Sequence, residues 1–97
     1  MFIEQLDAII ADRLAEKKEG SYISKLGEAG LDRVLKKVAE EAGEVIIAAK
    51  NATPKEIIHE SADLLFHLLI TLSMLGVSFD DVLNELEHRH QANINRT

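Results

Sequence analysis

A single proline fixes the plan of this chain. Asn51-Ala52-Thr53-Pro54 interrupts two long segments of helical periodicity, and Pro54 is the only proline among the 97 residues. Proline lacks an amide N–H and fits the first turn of a helix, Thr53 is a good cap before it, and Glu56 completes a capping-box pattern. A link this short makes the flanking helices antiparallel neighbours. The centre of the fold is therefore expected to be a helical hairpin, with the first helix ending near Lys50 and the second beginning at Pro54.

The two arms differ in pattern. Over residues 31–50, Leu31, Val34, Leu35, Val38, Ala42, Val45, Ile46 and Ala49 fall on one stripe at about 100° per residue. Glu40 and Glu44 fall opposite it, and Lys37 and Glu41 at its border. Over residues 54–75 the segment turns apolar almost all round from Leu64 onward, and Gly76 ends it. A helix without a polar face is buried on all sides. So small a chain cannot easily wrap it completely, and a twofold homodimer, or a dimer of dimers, is expected to cover the remainder, the alternative being a monomer in which the first and fourth helices do all the covering.

Outside the hairpin, residues 2–19 repeat Phe2, Leu6, Ile9, Ile10 and Leu14 at helical spacing, with Gly20 as the stop. Residues 20–30 hold three glycines and the only tyrosine, Tyr22. They read as a connecting loop, either pinned to the core by Tyr22 or closing over a ligand. Phe79–Ala92 reads as a last helix capped by Ser78, with Phe79, Val82, Leu83 and Leu86 inward, and 93–97 as a frayed tail. No stretch alternates as a strand does. The expected architecture is all-α: four helices, one domain over 1–97, assembled as a helical-bundle homodimer.

Composition narrows the chemistry. With 17 acidic against 11 basic residues the net charge is −6, and no basic stripe is present to follow a phosphate backbone, so nucleic acid is not an expected partner. There is no cysteine, which excludes disulfides and thiolate metal sites. The N-terminus does not resemble a signal peptide, and the uninterrupted apolar runs are too short to span a bilayer, so a cytoplasmic, membrane-free protein is expected.

Against that background the acidic spacing stands out: Glu41-x-x-Glu44 before the break and Glu60-x-x-Asp63 after it. Residues three apart share a helix face, and in the hairpin the two pairs lie at nearly the same level. Four converging carboxylates repel one another unless a cation lies between them. Oxygen donors favour hard cations, magnesium first, and a bound divalent ion lets an acidic protein hold an anionic nucleotide. A single Glu-x-x-Glu is common on solvated faces. Glu60 and Asp63, by contrast, run straight into the apolar section, where unpaired charge is costly. A helical hairpin with a merely charged mouth would show the same letters. Glu56-x-x-His59 and Glu85-x-x-His88 match the Glu-x-x-His element of di-iron bundles, but His88 falls on the outer side of its helix. His67, one turn after Asp63, reads as a satisfied core histidine or as an orienting group, and His90 as structural.

These residues together resemble the all-α nucleoside triphosphate pyrophosphatase (MazG-like) superfamily. Ser21-Tyr22-Ile23-Ser24-Lys25-Leu26, Lys36 to Glu44, Ala48 to Asn51 and Glu60 to Leu69 resemble, more narrowly, the phosphoribosyl-ATP pyrophosphatase family. Ile23, Ser24 and Gly43 depart mildly from the family pattern. The resemblance implies magnesium-dependent hydrolysis of phosphoribosyl-ATP to phosphoribosyl-AMP and pyrophosphate in histidine biosynthesis. It implies Glu41, Glu44, Glu60 and Asp63 as metal ligands, and Glu40, with Glu41, as an assisting or water-activating group. Lys25, Lys37 and Lys50, with Tyr22, are candidates to meet the substrate. Rival expectations are a house-cleaning triphosphate pyrophosphatase of the same superfamily and a non-catalytic helical dimerisation module.

Overall fold

The computed structural model describes residues 1–92; the expected frayed tail at 93–97 lies outside them. All the described regular elements are helices: α1 (Phe2–Glu16), α2 (Tyr22–Ala29), α3 (Leu31–Asn51), α4 (Pro54–Met74) and α5 (Phe79–Ala92). The all-α expectation holds, but the described helices number five, not four.

The extra helix is α2, in the stretch expected to be a loop. Its glycines are sited where a short helix tolerates or needs them. Ser21 caps it, its Oγ accepting from the Ser24 N–H at 3.2 Å. Gly27 lies inside it where α1 comes close: a Cβ there would stand 2.8 Å from Leu14 Cδ2, so a larger residue would make the Leu14 side chain shift. Gly30, at φ +100°, turns the chain directly from α2 into α3. The Ser24 hydroxyl adds a tie by donating to the Arg13 carbonyl at 2.8 Å. α1 itself stops at Lys17, in the left-handed conformation with its N–H on the Arg13 carbonyl, three residues before Gly20.

The hairpin forms as expected. α3 ends at Ala52 in the left-handed conformation, and Pro54 opens α4. The capping box does not form: the Thr53 hydroxyl donates to the Asn51 carbonyl at 3.4 Å instead of serving the new helix. α3 and α4 pack along each other, α1 lies on α4, and α2 bridges α1 and α3. Ile10, Ile23, Leu26, Val34, Leu69 and Ile70 form the core at the end of the hairpin away from its turn. The inward face of α3 is rotated from the expected stripe: Val34, Glu41 and Ala48 are its buried residues, and Leu35, Ile46 and Ala49 are exposed.

α5 is the least anchored helix. Ser78 Oγ accepts from the Asp80 N–H at 3.1 Å, and Phe79 packs on the core. No residue of α5 is buried, however, and Leu83, Leu86 and His90 are exposed, against the expectation of an inward face.

As a whole, α4 is long and apolar enough to cross a membrane, with a mean hydropathy of 1.3, although its uninterrupted apolar runs are short. Its surroundings fit a core helix better. Leu69 and Ile70 are fully buried among the other helices, and an aspartate such as Asp63 at the centre of a spanning helix costs about 2.5–3.5 kcal/mol.

Candidate functional site

The hairpin places its acidic residues in a cleft beside the turn. Glu44, Ile47 and Ala48 of α3 face Glu56 and Glu60 of α4 across a cavity of about 310 Å³. Glu41 is one turn deeper on α3 and only 9% exposed, where the sequence placed it at a border. Asp63 is one turn deeper on α4 and partly exposed.

Each helix sets a nitrogen-bearing side chain beside these carboxylates. Lys37 Nζ lies 3.4 Å from Glu41 Oε1, an i,i+4 pair that neutralises the buried carboxylate. Partial burial works against the Lys37 charge, but the hydrogen bond to Glu41 and the fields of Tyr22, Glu41 and Glu40 outweigh it, so its pKa stands above the ordinary lysine value. On α4, His59 Nε2 lies 3.4 Å from Asp63 Oδ2 and 3.9 Å from Glu60 Oε1.

Glu60 records how crowded the cleft is. Its carboxyl pKa is raised, first by loss of solvent and then by the negative fields of Glu41, Glu44 and Asp63, with His59 opposing. Glu44 and Glu60 stand at one level of the hairpin, on facing walls of the cavity. Oxygen donors from two facing helices, with charge to spare, fit a hard divalent cation.

The remaining candidates spread outward. Glu40 is exposed, next to Glu41 on the helix, and its field reaches Lys37. Lys25 on α2 and Lys50 in the last turn of α3 are exposed.

Tyr22 and His67 tie α2 to the turn of α4 that carries Asp63. The His67 Nδ1 lies 2.8 Å from the Asp63 carbonyl, which can only accept, so Nδ1 carries the proton. In the neutral ring Nε2 is then the acceptor, and the Tyr22 hydroxyl donates to it at 2.7 Å. Tyr22 also stacks on Phe66 at 6.3 Å between ring centroids. His67 is thus a satisfied core histidine, 5% exposed, and it fastens α2 to the helix that carries Asp63. Sequence reasoning left His59 in a rival di-iron pattern and missed its place beside Glu60 and Asp63; the i,i+4 spacing of His59 and Asp63 was the available signal.

Fold and site together define a class: all-helical proteins whose central hairpin lines a cleft with acidic residues from both arms. The family model for phosphoribosyl-ATP pyrophosphohydrolase matches residues 3–90. A phosphoribosyl-ATP pyrophosphatase of Leptospira biflexa is 49% identical over 89 residues, covering 92% of this chain and 97% of that protein. A histidine biosynthesis bifunctional protein HisIE of Thermus thermophilus is 54% identical over 89 residues, and one of Deinococcus radiodurans is 54% identical over 87. The matches take in 92% and 90% of this chain but 42% and 40% of those longer proteins. The chain belongs to the phosphoribosyl-ATP pyrophosphohydrolase family.

Proposed function

We propose that the chain hydrolyses phosphoribosyl-ATP to phosphoribosyl-AMP and pyrophosphate, the second step of histidine biosynthesis, in the cytoplasm. The observation that carries this reading is the acidic cleft that Glu44 and Glu60 line, with Glu41 and Asp63 one turn deeper and near enough for their fields to act on Glu60, in a chain of this family. These four would hold magnesium, which supplies a Lewis acid for a phosphoryl oxygen and a more acidic bound water.

The residues divide the work. Glu44 and Glu60, on opposite walls, set the width of the cleft. Glu41 is held in place by Lys37, whose retained charge suits it to meet a phosphate; Lys25 and Lys50 are outlying candidates for the same task. Glu40 or Glu41 takes the proton from the attacking water. The water oxygen bonds to the α-phosphorus, the bond from that phosphorus to the bridging oxygen breaks, and pyrophosphate leaves with its charge countered by lysine. Tyr22, whose field reaches Lys37, is a further candidate to meet the substrate.

The proposal includes a twofold homodimer, or a dimer of dimers, around a single catalytic unit spanning 1–97. The radius of gyration is 15.3 Å, where a compact chain of this length has about 13 Å. The accessible surface is 6968 Å², against roughly 5,500 Å² for a compact monomer of this mass. Ile46 and Ile58 are 63% and 70% exposed, and Leu35 and Leu65 lie on the same helix faces. A second copy would cover them.

The test is turnover of phosphoribosyl-ATP with magnesium, followed as pyrophosphate, beside a panel of ordinary and modified nucleoside triphosphates. Preference for phosphoribosyl-ATP is expected. Equal or better turnover of the panel would replace the reading with a house-cleaning one, and no release from any substrate would leave a non-catalytic helical module.

A further inference from the structure

We propose that His59 belongs to the cation-binding set, and that the centre therefore binds a first-row transition ion such as manganese(II) more tightly than magnesium. The inference rests on the reading of Glu60 and Asp63 as cation ligands and adds a nitrogen donor to it. His59, Glu60 and Asp63 each offer a ligand atom, and these atoms lie within 4.8 Å of one another. The His59 Nε2 to Asp63 Oδ2 distance is 3.4 Å. Two donors bound to one ion at about 2.0–2.2 Å stand roughly 3.0–3.4 Å apart, so this pair could close on a cation with little movement. The spacing is i,i+4 on α4, by which two side chains on one helix face chelate a single ion.

The nitrogen decides which ion gains. Magnesium prefers oxygen and keeps its waters, and imidazole adds little to its binding. Imidazole strengthens binding of transition ions, in rising order from manganese through cobalt to copper. The simpler account is an ion pair alone, and it is weak: both side chains are well exposed, and an exposed pair of this kind is worth about 0–1 kcal/mol. The exposure of His59 also makes it safe to replace without disturbing the core.

Manganese(II) is the probe. Pulsed electron paramagnetic resonance of the manganese-loaded protein, slightly above neutral pH, is expected to show coupling to a directly bound nitrogen, and His59→Gln is expected to abolish it. Calorimetric titration of the same two proteins is expected to show manganese affinity falling roughly tenfold or more, with magnesium affinity changed by less than about twofold. Manganese binding without nitrogen coupling, or an equal loss for both ions, overturns the assignment of His59 and leaves the oxygen site standing. Failure of the unaltered protein to bind either ion overturns the inference and the proposed metal centre together.

Discussion

The two ends of the α3–α4 hairpin are built to opposite rules. Away from the turn, Val34, Leu69 and Ile70 are fully buried and close against Ile10, Ile23 and Leu26. Beside the turn, the same two helices stand around a cavity lined by Glu44, Glu56 and Glu60. Hydrophobic burial at one end supplies the stability that charge repulsion at the other spends. Neither helix could do both tasks along its whole length, because carboxylates in the packed end would be desolvated without partners. The difference teaches that the site is held open from outside itself, by the core about two to three turns away.

That division is tested most sharply by one substitution at each end. Asp63→Asn keeps shape and removes charge. If Asp63 is a ligand, turnover should fall on the order of 10²–10³-fold, the scale of losing one preorganised electrostatic group, while the melting temperature of the metal-free protein holds or rises. Glu41→Gln should behave alike in turnover. Leu69→Ala should do the reverse, costing about 2–5 kcal/mol in chemical denaturation through lost contacts and a cavity, with activity falling only as the folded fraction falls. If near wild-type pyrophosphate release survives both carboxylate changes, the charged end is a solvated mouth and not a site.

A smaller effect is expected where the two ends are joined. Tyr22→Phe removes the donor to His67 Nε2 and leaves a buried acceptor without its partner, a cost of about 1–3 kcal/mol. Because His67 also grips the Asp63 carbonyl, magnesium affinity should weaken along with stability. A stability loss with unchanged magnesium affinity would show that the brace serves the core alone.

The sequence made the hairpin and its breaks plain because Pro54, Gly76 and Ser78 each act locally, although the capping box at Thr53 does not form. The facing of Glu44 and Glu60 was legible too, since spacing on two antiparallel helices is arithmetic. The α2 helix was not. Its glycines looked like breakers, and only the structure shows that Gly27 lies inside a helix, facing Leu14 of α1. The burial of Glu41 was missed for a related reason. A periodicity count centres the stripe on the apolar residues, whereas α3 turns Glu41 inward with Lys37 and leaves Leu35 and Ile46 outside. On α5 the pattern promised a core face at Leu83 and Leu86 that this chain, by itself, does not cover.

The smallest expected effect concerns Glu60 in the metal-free protein. Loss of solvent and the fields of Glu41, Glu44 and Asp63 raise its pKa in the folded state, and His59 only partly offsets them. A carboxyl whose folded pKa is raised favours folding when protonated. Its contribution is therefore present in full below the ordinary glutamate pKa and is lost as pH rises through the raised value. Denaturation measured across that interval without metal should show stability declining on this account, and Glu60→Gln should flatten the decline. Magnesium should reverse the slope, because a cation rewards the ionised form and competes with the proton. A metal-free profile that is identical in the variant would mean that the charges at the closed end of the hairpin do not repel as their placement requires, and the contrast between its two ends would fail there first.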